Sequence, residues 1–432
     1  MKRSRLTAIL LAFTFIFTAC GAAEDGTRGE EDSEKLTSAV DSPVPQGERT
    51  LQIATISPSF TLAKLAADFN SSTAAYRVEI HDYSNGGALE AKDALTRLNT
   101  DILSGNYPDM ISFSRVNPYP YISKGLLVDL KTLLTQDEEL SIDDIAIAKA
   151  LETGGRIHFI SGTFSFETLA GRYSDFGERF GWSLDEYIAI DSSTPDDIET
   201  IHNMTRESFI DSIVSRYIRA AIDWREGSCA FDTPEFIELL KAGSRIRETP
   251  EDSASMSFGY GPTKVGAGQH VASLSLVETV WKLAYEEQMA GCDLSFIGWP
   301  TVDGSCGSDA HLIKPVGIIN QGEGAAGCWE FIKFMLMHPD MSADTLPVYK
   351  PLLQAKADEA KADKDIPVQL TDYDIERFFA LVSELENVTI YDETVLGIIR
   401  RESAAFFSGD KTVKDAAKLI QSKVSIYLAE QN

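Results

Sequence analysis

The chain has 432 residues, 44% of them hydrophobic and 24% charged, with a formal net charge of −27. That length exceeds one ordinary hydrophobic core, so two domains or lobes are expected. The acidity argues against nucleic acid and against attachment to anionic lipid through a basic patch.

In chain order, Lys2, Arg3 and Arg5 precede an apolar run from Leu6 to Phe17. This has signal-peptide length and is short for a membrane span. The following Phe17-Thr18-Ala19-Cys20-Gly21 resembles a bacterial lipobox, with Phe17 in place of the usual aliphatic residue. It implies removal of residues 1–19 and acylation (palmitate among the acyl chains) of Cys20, which anchors a soluble domain to the lipid bilayer. Residues 20–48 are polar, acidic and punctuated by Pro43 and Pro45, and read as a disordered tether.

The folded part opens with a strand at Thr50–Thr55, a helix with apolar residues at Leu62, Leu65, Ala66 and Phe69, and a strand at Tyr76–Ile80. A helix over Leu89–Leu103 ends at Gly105, and Pro108–Phe113 is a short buried strand. Helices alternating with strands predict a parallel or mostly parallel sheet. Arg156–Ile160 is a further strand, broken at Gly162, after which the chain runs on extended. Ser183 with Glu186 forms a capping pattern, and from about 205 to 290 the pattern is mainly helical. Phe296-Ile297-Gly298-Trp299-Pro300-Thr301 is a strand ending in an aromatic ring and a turn. It suits either a loop with a half-buried Trp or a chain crossing between lobes. Val316–Asn320 is a strand, a helix follows over about 325–337, and three helices near 371–386, 392–407 and 412–430 close the chain.

Cys229, Cys292, Cys306 and Cys328 lack C-x-x-C spacing and read as free thiols, with Cys292–Cys306 the least implausible bridge. Six His residues are scattered without ligand spacing, so no metal is expected. Gly322-x-Gly324-x-x-Gly327 matches a dinucleotide pattern, but no strand with a terminal acid follows it. It reads as a tight strand-to-helix turn, and no cofactor is expected.

Taken together, these phrases resemble the extracellular solute-binding proteins of family 1, the receptors of carbohydrate-type ABC importers. The resemblance rests on Leu65–Asn70, Tyr76–Ile80, Leu98–Asp129, Phe231–Phe236, Phe296–Gly304, Ala326–Phe334 and Ile398–Leu428. It implies an α/β, two-lobed periplasmic-binding-protein-like fold with a ligand cleft between the lobes. Lobe one would comprise 50–161 and 298–345, and lobe two 162–297 and 346–430. Crossings are expected near Ser161–Thr163, Gly298–Pro300 and Leu346–Tyr349. The implied partners are a small solute, most often a mono- or oligosaccharide, and ABC permease subunits in the membrane. The protein would be a lipid-anchored monomer on the outer face of the cell membrane, without enzymatic activity.

On that pattern the cleft collects strand ends. The expected ligand-binding residues are Ser57 and Ser59 after the first strand, Tyr83 and Asn85 after the second, and Ser112, Phe113 and Arg115 after the third. Phe164, Phe166 and Trp299 join them beside the crossings. Rings suit the C–H faces of a sugar, and planar polar groups its hydroxyls. A surface sensor with the same fold is the alternative. An exported glycan hydrolase lacks a nucleophile motif such as G-x-S-x-G. Within the fold, a cleft rich in carboxylates would favour a cation, and one rich in Arg an anion.

Overall fold

The computed structural model describes residues 49–431, apart from 58, 74, 196, 247, 249–259, 322–323, 339–344 and 391. The leader, Cys20 and the tether lie outside the described residues. The main strands are β1 (Arg49–Thr55), β2 (Tyr76–Asp82), β3 (Met110–Ser112), β4 (Thr163–Arg172), β5 (Glu199–Ile201), β6 (His270–Val277), β7 (Leu294–Phe296), β8 (Asp309–Ile313), β9 (Val316–Ile318), β10 (Leu346–Pro347) and β11 (Asn387–Val388).

The first sheet has the order β9-β3-β1-β2. β1 runs parallel to β2 and β3, with Leu51 opposite Val78 and Ile53 opposite both Ile80 and Met110. Helices Phe60–Ser72 and Ala91–Leu103 make the crossovers that parallel pairing requires. The first buries Leu62, Leu65, Ala66 and Phe69, its apolar stripe. Helix Ala325–Met337 packs on the same sheet. A Cβ on Gly327 would lie 2.5 Å from the Tyr76 ring, and one on Gly324 would lie 2.7 Å from the Asp109 carboxylate. Close packing therefore accounts for Gly324 and Gly327 in the dinucleotide-like pattern.

The second sheet is built on β4. Its ten residues pair antiparallel with β6, β7, β8 and β10, and β5 and β11 extend the sheet in parallel from β6 and β8. A strand with this many neighbours is buried on both faces, and Phe164, Phe166, Leu169 and Ala170 are fully buried. β6 lies within the stretch whose sequence pattern suggests helix, and β8 where the sequence pattern indicates no element. Helices Pro234–Arg245, Glu393–Phe407 and Val413–Gln431 cover this sheet around a core that includes Phe209, Phe236, Ile399 and Val424.

Among the described residues, three stretches join the sheets. Ile160 bridges Val316 of the first sheet, and β4 begins at Thr163. The chain returns between Ile313 of β8 and Val316 of β9. It passes once more at β10, where Val348 N–H donates to Gly162 O at 3.0 Å and Ala146 N–H donates to Val348 O at 2.9 Å. The Ser161 hydroxyl donates to Thr163 O and also to Ile313 O, tying the first two passages together.

The middle passage is therefore Ile313–Val316, not Gly298–Pro300, and residues 298–313 belong with the second sheet. Ile297 N–H donates to Leu169 O at 2.8 Å and Gly298 N–H to Thr168 Oγ1 at 3.1 Å, both on β4. Thr301 exchanges backbone bonds with Trp182 and Leu184. Gly298 has φ 67° and meets Gly307 in a parallel bridge so close that a Cβ on Gly307 would lie 1.7 Å from Trp299 O. The local signals of a pivot here serve a tight backbone approach.

Candidate ligand-binding cleft

Past the end of β3, the loop through Asn117 turns into a short helix at Tyr119–Ser123. The Asn117 Oδ1 accepts from Tyr119 N–H at 3.0 Å. Its Nδ2 donates to Asp392 Oδ2 at 2.8 Å, joining the first-sheet side to the C-terminal helices. Asp392 also accepts from Val395 N–H, capping helix Glu393–Phe407, and from the Tyr427 hydroxyl.

From the opposite side comes a continuous helical segment, Arg206–Phe209, a π turn at Ile210–Val214, and Ser215–Ala221. The wider turn resets the helical phase. Arg216 and Arg219, three residues apart on one face, meet the same carboxylate. Arg216 Nε lies 2.9 Å from Asp309 Oδ2, and Arg219 holds Asp309 in a fork at 3.2 and 2.8 Å. Asp309 opens β8 opposite Glu167 of β4. Burial would raise the Glu167 pKa, but His311 and Arg216 beside the carboxylate hold it below the ordinary value.

These elements enclose a cleft of about 240 Å³ lined by Asn117, Tyr119, Arg216, Arg219, Trp224, Asp309, Thr389 and Asp392, among others. Tyr119 and Trp224 stack across it, with ring centroids 5.7 Å apart and planes 10° from parallel. Burial raises the Tyr119 pKa, keeping the phenol neutral. The cleft thus offers two flat rings, a planar amide, two carboxylates and two guanidinium groups. Both Arg charges are engaged by Asp309, so the arrangement is a hydrogen-bonding surface more than an anion trap.

None of the ten residues expected at the strand ends and beside the crossings lines this cleft. Ser59 caps helix Phe60–Ser72 by accepting from Leu62 N–H, and Ser57 closes a turn with the Thr55 hydroxyl. Tyr83 and Asn85 line a separate open groove with Arg97 and Asp101. Burial and the bond to Asp101 push the Tyr83 pKa up to about 12. Ser112 is fully buried, and Phe113 packs edge-on against Tyr121. Arg115 is exposed at φ 63°, near Lys314 of the middle passage. Phe164 and Phe166 are fully buried and Phe166 packs against Phe378, because β4 has neighbours on both sides. Trp299 is 2% exposed, with the Arg216 guanidinium 5.0 Å above its ring. It supports a residue of the cleft and is screened from the cleft by that residue.

The local signal for the missed side chains was partial. Asn117 and Tyr119 follow Arg115 by two and four positions, just past the strand end already singled out. Arg216 and Arg219 carry helical spacing, but nothing local shows which face they present. Among the described residues the four cysteines are free thiols, with Cys306 and Cys328 buried. No helix among them is long and apolar enough to cross a membrane.

No sequence-family model matches the chain, and no curated protein does. Solved structures do. The sugar-binding protein MalE from Xanthomonas citri superposes with a TM-score of 0.52 at 14% identity, over 88% of this chain and 98% of that one. An ABC substrate-binding protein from Listeria monocytogenes, in complex with cycloalternan, gives 0.48 at 16% identity over 88% and 99%. An extracellular solute-binding protein of family 1 from Alicyclobacillus acidocaldarius gives 0.49 at 14% over 90% and 100%. The chain has the two-lobed α/β fold of the Xanthomonas sugar-binding protein.

Proposed function

We propose that this chain is an extracytoplasmic substrate-binding lipoprotein of an ABC importer, which binds a mono- or oligosaccharide by hinge closure and presents it to a membrane permease. The observation that carries the reading is the Tyr119–Trp224 pair stacked between the two sides of the cleft, with Asn117, Asp392 and Arg219 around it. Flat rings cover the apolar faces of a pyranose while amide, carboxylate and guanidinium groups bond its hydroxyls. The sugar-binding character of the Xanthomonas protein of the same fold supports the ligand class.

Closure follows from the three passages. Bending at Ser161–Gly162, Lys314–Pro315 and Val348–Tyr349 moves Tyr119 relative to Trp224 without remaking either sheet. A ligand that contacts both sides shifts the population toward the closed form by its extra contacts there. The residues of the cleft perform no bond-breaking step in this reading. The lipobox-like Phe17–Cys20 and the acidic tether support attachment at the outer face of the membrane, where a monomer serves.

A thermal-shift screen against mono- and oligosaccharides tests the reading, because a ligand of the folded state raises the melting temperature. At least one saccharide should raise it without being hydrolysed. Turnover of a glycoside, or a flat response across the panel, contradicts the proposal.

A further inference from the structure

We propose that Glu199, His202 and His270 form a site for a divalent transition-metal ion, Zn2+ in the first instance, at the edge of the second sheet. The sequence spacing of the histidines shows no such site, because the sheet assembles it. β5 is an edge strand paired in parallel with β6, and its register sets Glu199 opposite His270. His202 N–H donates to Ala272 O at 2.9 Å, carrying the ladder one step past the strand and fixing the second imidazole beside the first.

Candidate ligand atoms of the three side chains lie within 4.8 Å of one another. His270 Nδ1 is 3.3 Å and His202 Nδ1 is 4.0 Å from Glu199 Oε2. Four ligands at zinc bond lengths of roughly 2.0–2.1 Å stand about 3.4 Å apart in a tetrahedron, so one pair already has that spacing and small ring rotations bring in the other. The imidazoles approach edge to face, with centroids 4.7 Å apart and planes at 64°. The three side chains are only 10–15% exposed, so an ion there loses most of its water to protein donors. Glu199 Oε2 also accepts from Asn203 N–H at 2.8 Å, an outer bond that orients the carboxylate. Helix Tyr260–Gly266 approaches from above. A Cβ on Gly261 would lie 3.2 Å from the His202 ring.

Two neutral imidazoles and one carboxylate suit Zn2+, Co2+ or Ni2+ and suit Mg2+ or Ca2+ poorly. The ion would pin edge strand β5 to β6 and stabilise the sheet that carries Asp309. A fourth position remains for water.

The test uses the full chain, free of any histidine tag and stripped with a chelator. Zn2+ should bind with a stoichiometry of one and raise the melting temperature by several degrees, while equal concentrations of Mg2+ or Ca2+ should not. His202→Ala combined with His270→Ala should abolish the shift, and Glu199→Gln should weaken Zn2+ binding at least tenfold. A Zn2+ shift of undiminished size in the double variant overturns the proposal, as does an equal response to Ca2+. If the double variant does not fold, Co2+ added to the wild-type chain decides. An intense visible spectrum of tetrahedral, imidazole-bound cobalt supports the site, and the weak spectrum of octahedral aquo cobalt refutes it.

Discussion

Tyr119 and Trp224 stack across the cleft, 5.7 Å between centroids and 10° from parallel, although one follows the last parallel strand of the first sheet and the other follows helical segment Ser215–Ala221 on the opposite side. Their contact is the point at which opening and closing of the two sides would be felt. A sugar ring that parts the pair would meet an apolar face on either side. Replacing Trp224 with Ala should weaken saccharide binding by about tenfold or more, taking each stacked face at roughly 1.4 kcal/mol. Titration calorimetry on both proteins measures this. An unchanged affinity would place the sugar elsewhere.

Asp309 is 1% exposed and holds two arginines, one of them, Arg216, itself buried. Asp309→Ala leaves that guanidinium without its main counter-charge and should cost about 3–5 kcal/mol of stability. The exposed pair Lys64–Asp68 provides the contrast, since Asp68→Ala should cost no more than about 0.5 kcal/mol. Urea denaturation of the two variants compares them directly, and equal losses would show that the buried cluster does not hold the sheet.

How far the sequence could be read follows from the range of each signal. The stripe Leu62, Leu65, Ala66 and Phe69, the cap at Ser183 and the three C-terminal helices are local patterns, and they appear where periodicity places them. β6 was hidden because His270–Val277 lies within a long helical stretch, and its alternation serves a strand buried against β4. β8 has no independent signal at all. It is a strand because Asp309–Ile313 fits the register of β4, and that register creates the Asp309 cluster. Strand ends and crossings carry the expected ligand-binding residues, whereas the candidate cleft draws its side chains from a loop beyond β3, a helix with a π turn and the entry to a C-terminal helix.

Gly298 illustrates the same limit. Glycine, tryptophan and proline in sequence suit a hinge, but the φ of 67° and the closeness of Ser308 N, which a Cβ on Gly298 would meet at 2.6 Å, mark a packed turn. Gly298→Ala should therefore lower stability by more than about 1 kcal/mol and leave saccharide affinity within twofold. Thermal melts and calorimetry on one preparation separate the two effects. A stable variant with altered affinity would restore Gly298 to the hinge.

Asp137 gives a pH test. Burial works to raise its pKa, but the Trp329 indole at 2.7 Å, the Glu139 N–H and Lys333 lower it below the ordinary carboxylate value. A depressed folded-state pKa contributes stability that is present above the unfolded value of about 3.9 and is lost as pH falls through the folded value. The stability gap between wild type and Asp137→Asn should thus be level near neutrality and shrink below about pH 4. Urea midpoints across that range measure the gap, and a gap independent of pH would contradict the assignment.

On the proposed reading, ligand enters between Tyr119 and Trp224, with Trp299 screened behind Arg216. The most direct measurement is the tryptophan fluorescence change on adding whichever saccharide gives the largest thermal shift, in Trp224→Phe and Trp299→Phe. The signal should largely disappear in Trp224→Phe and survive in Trp299→Phe. A signal retained in the first and lost in the second would contradict it.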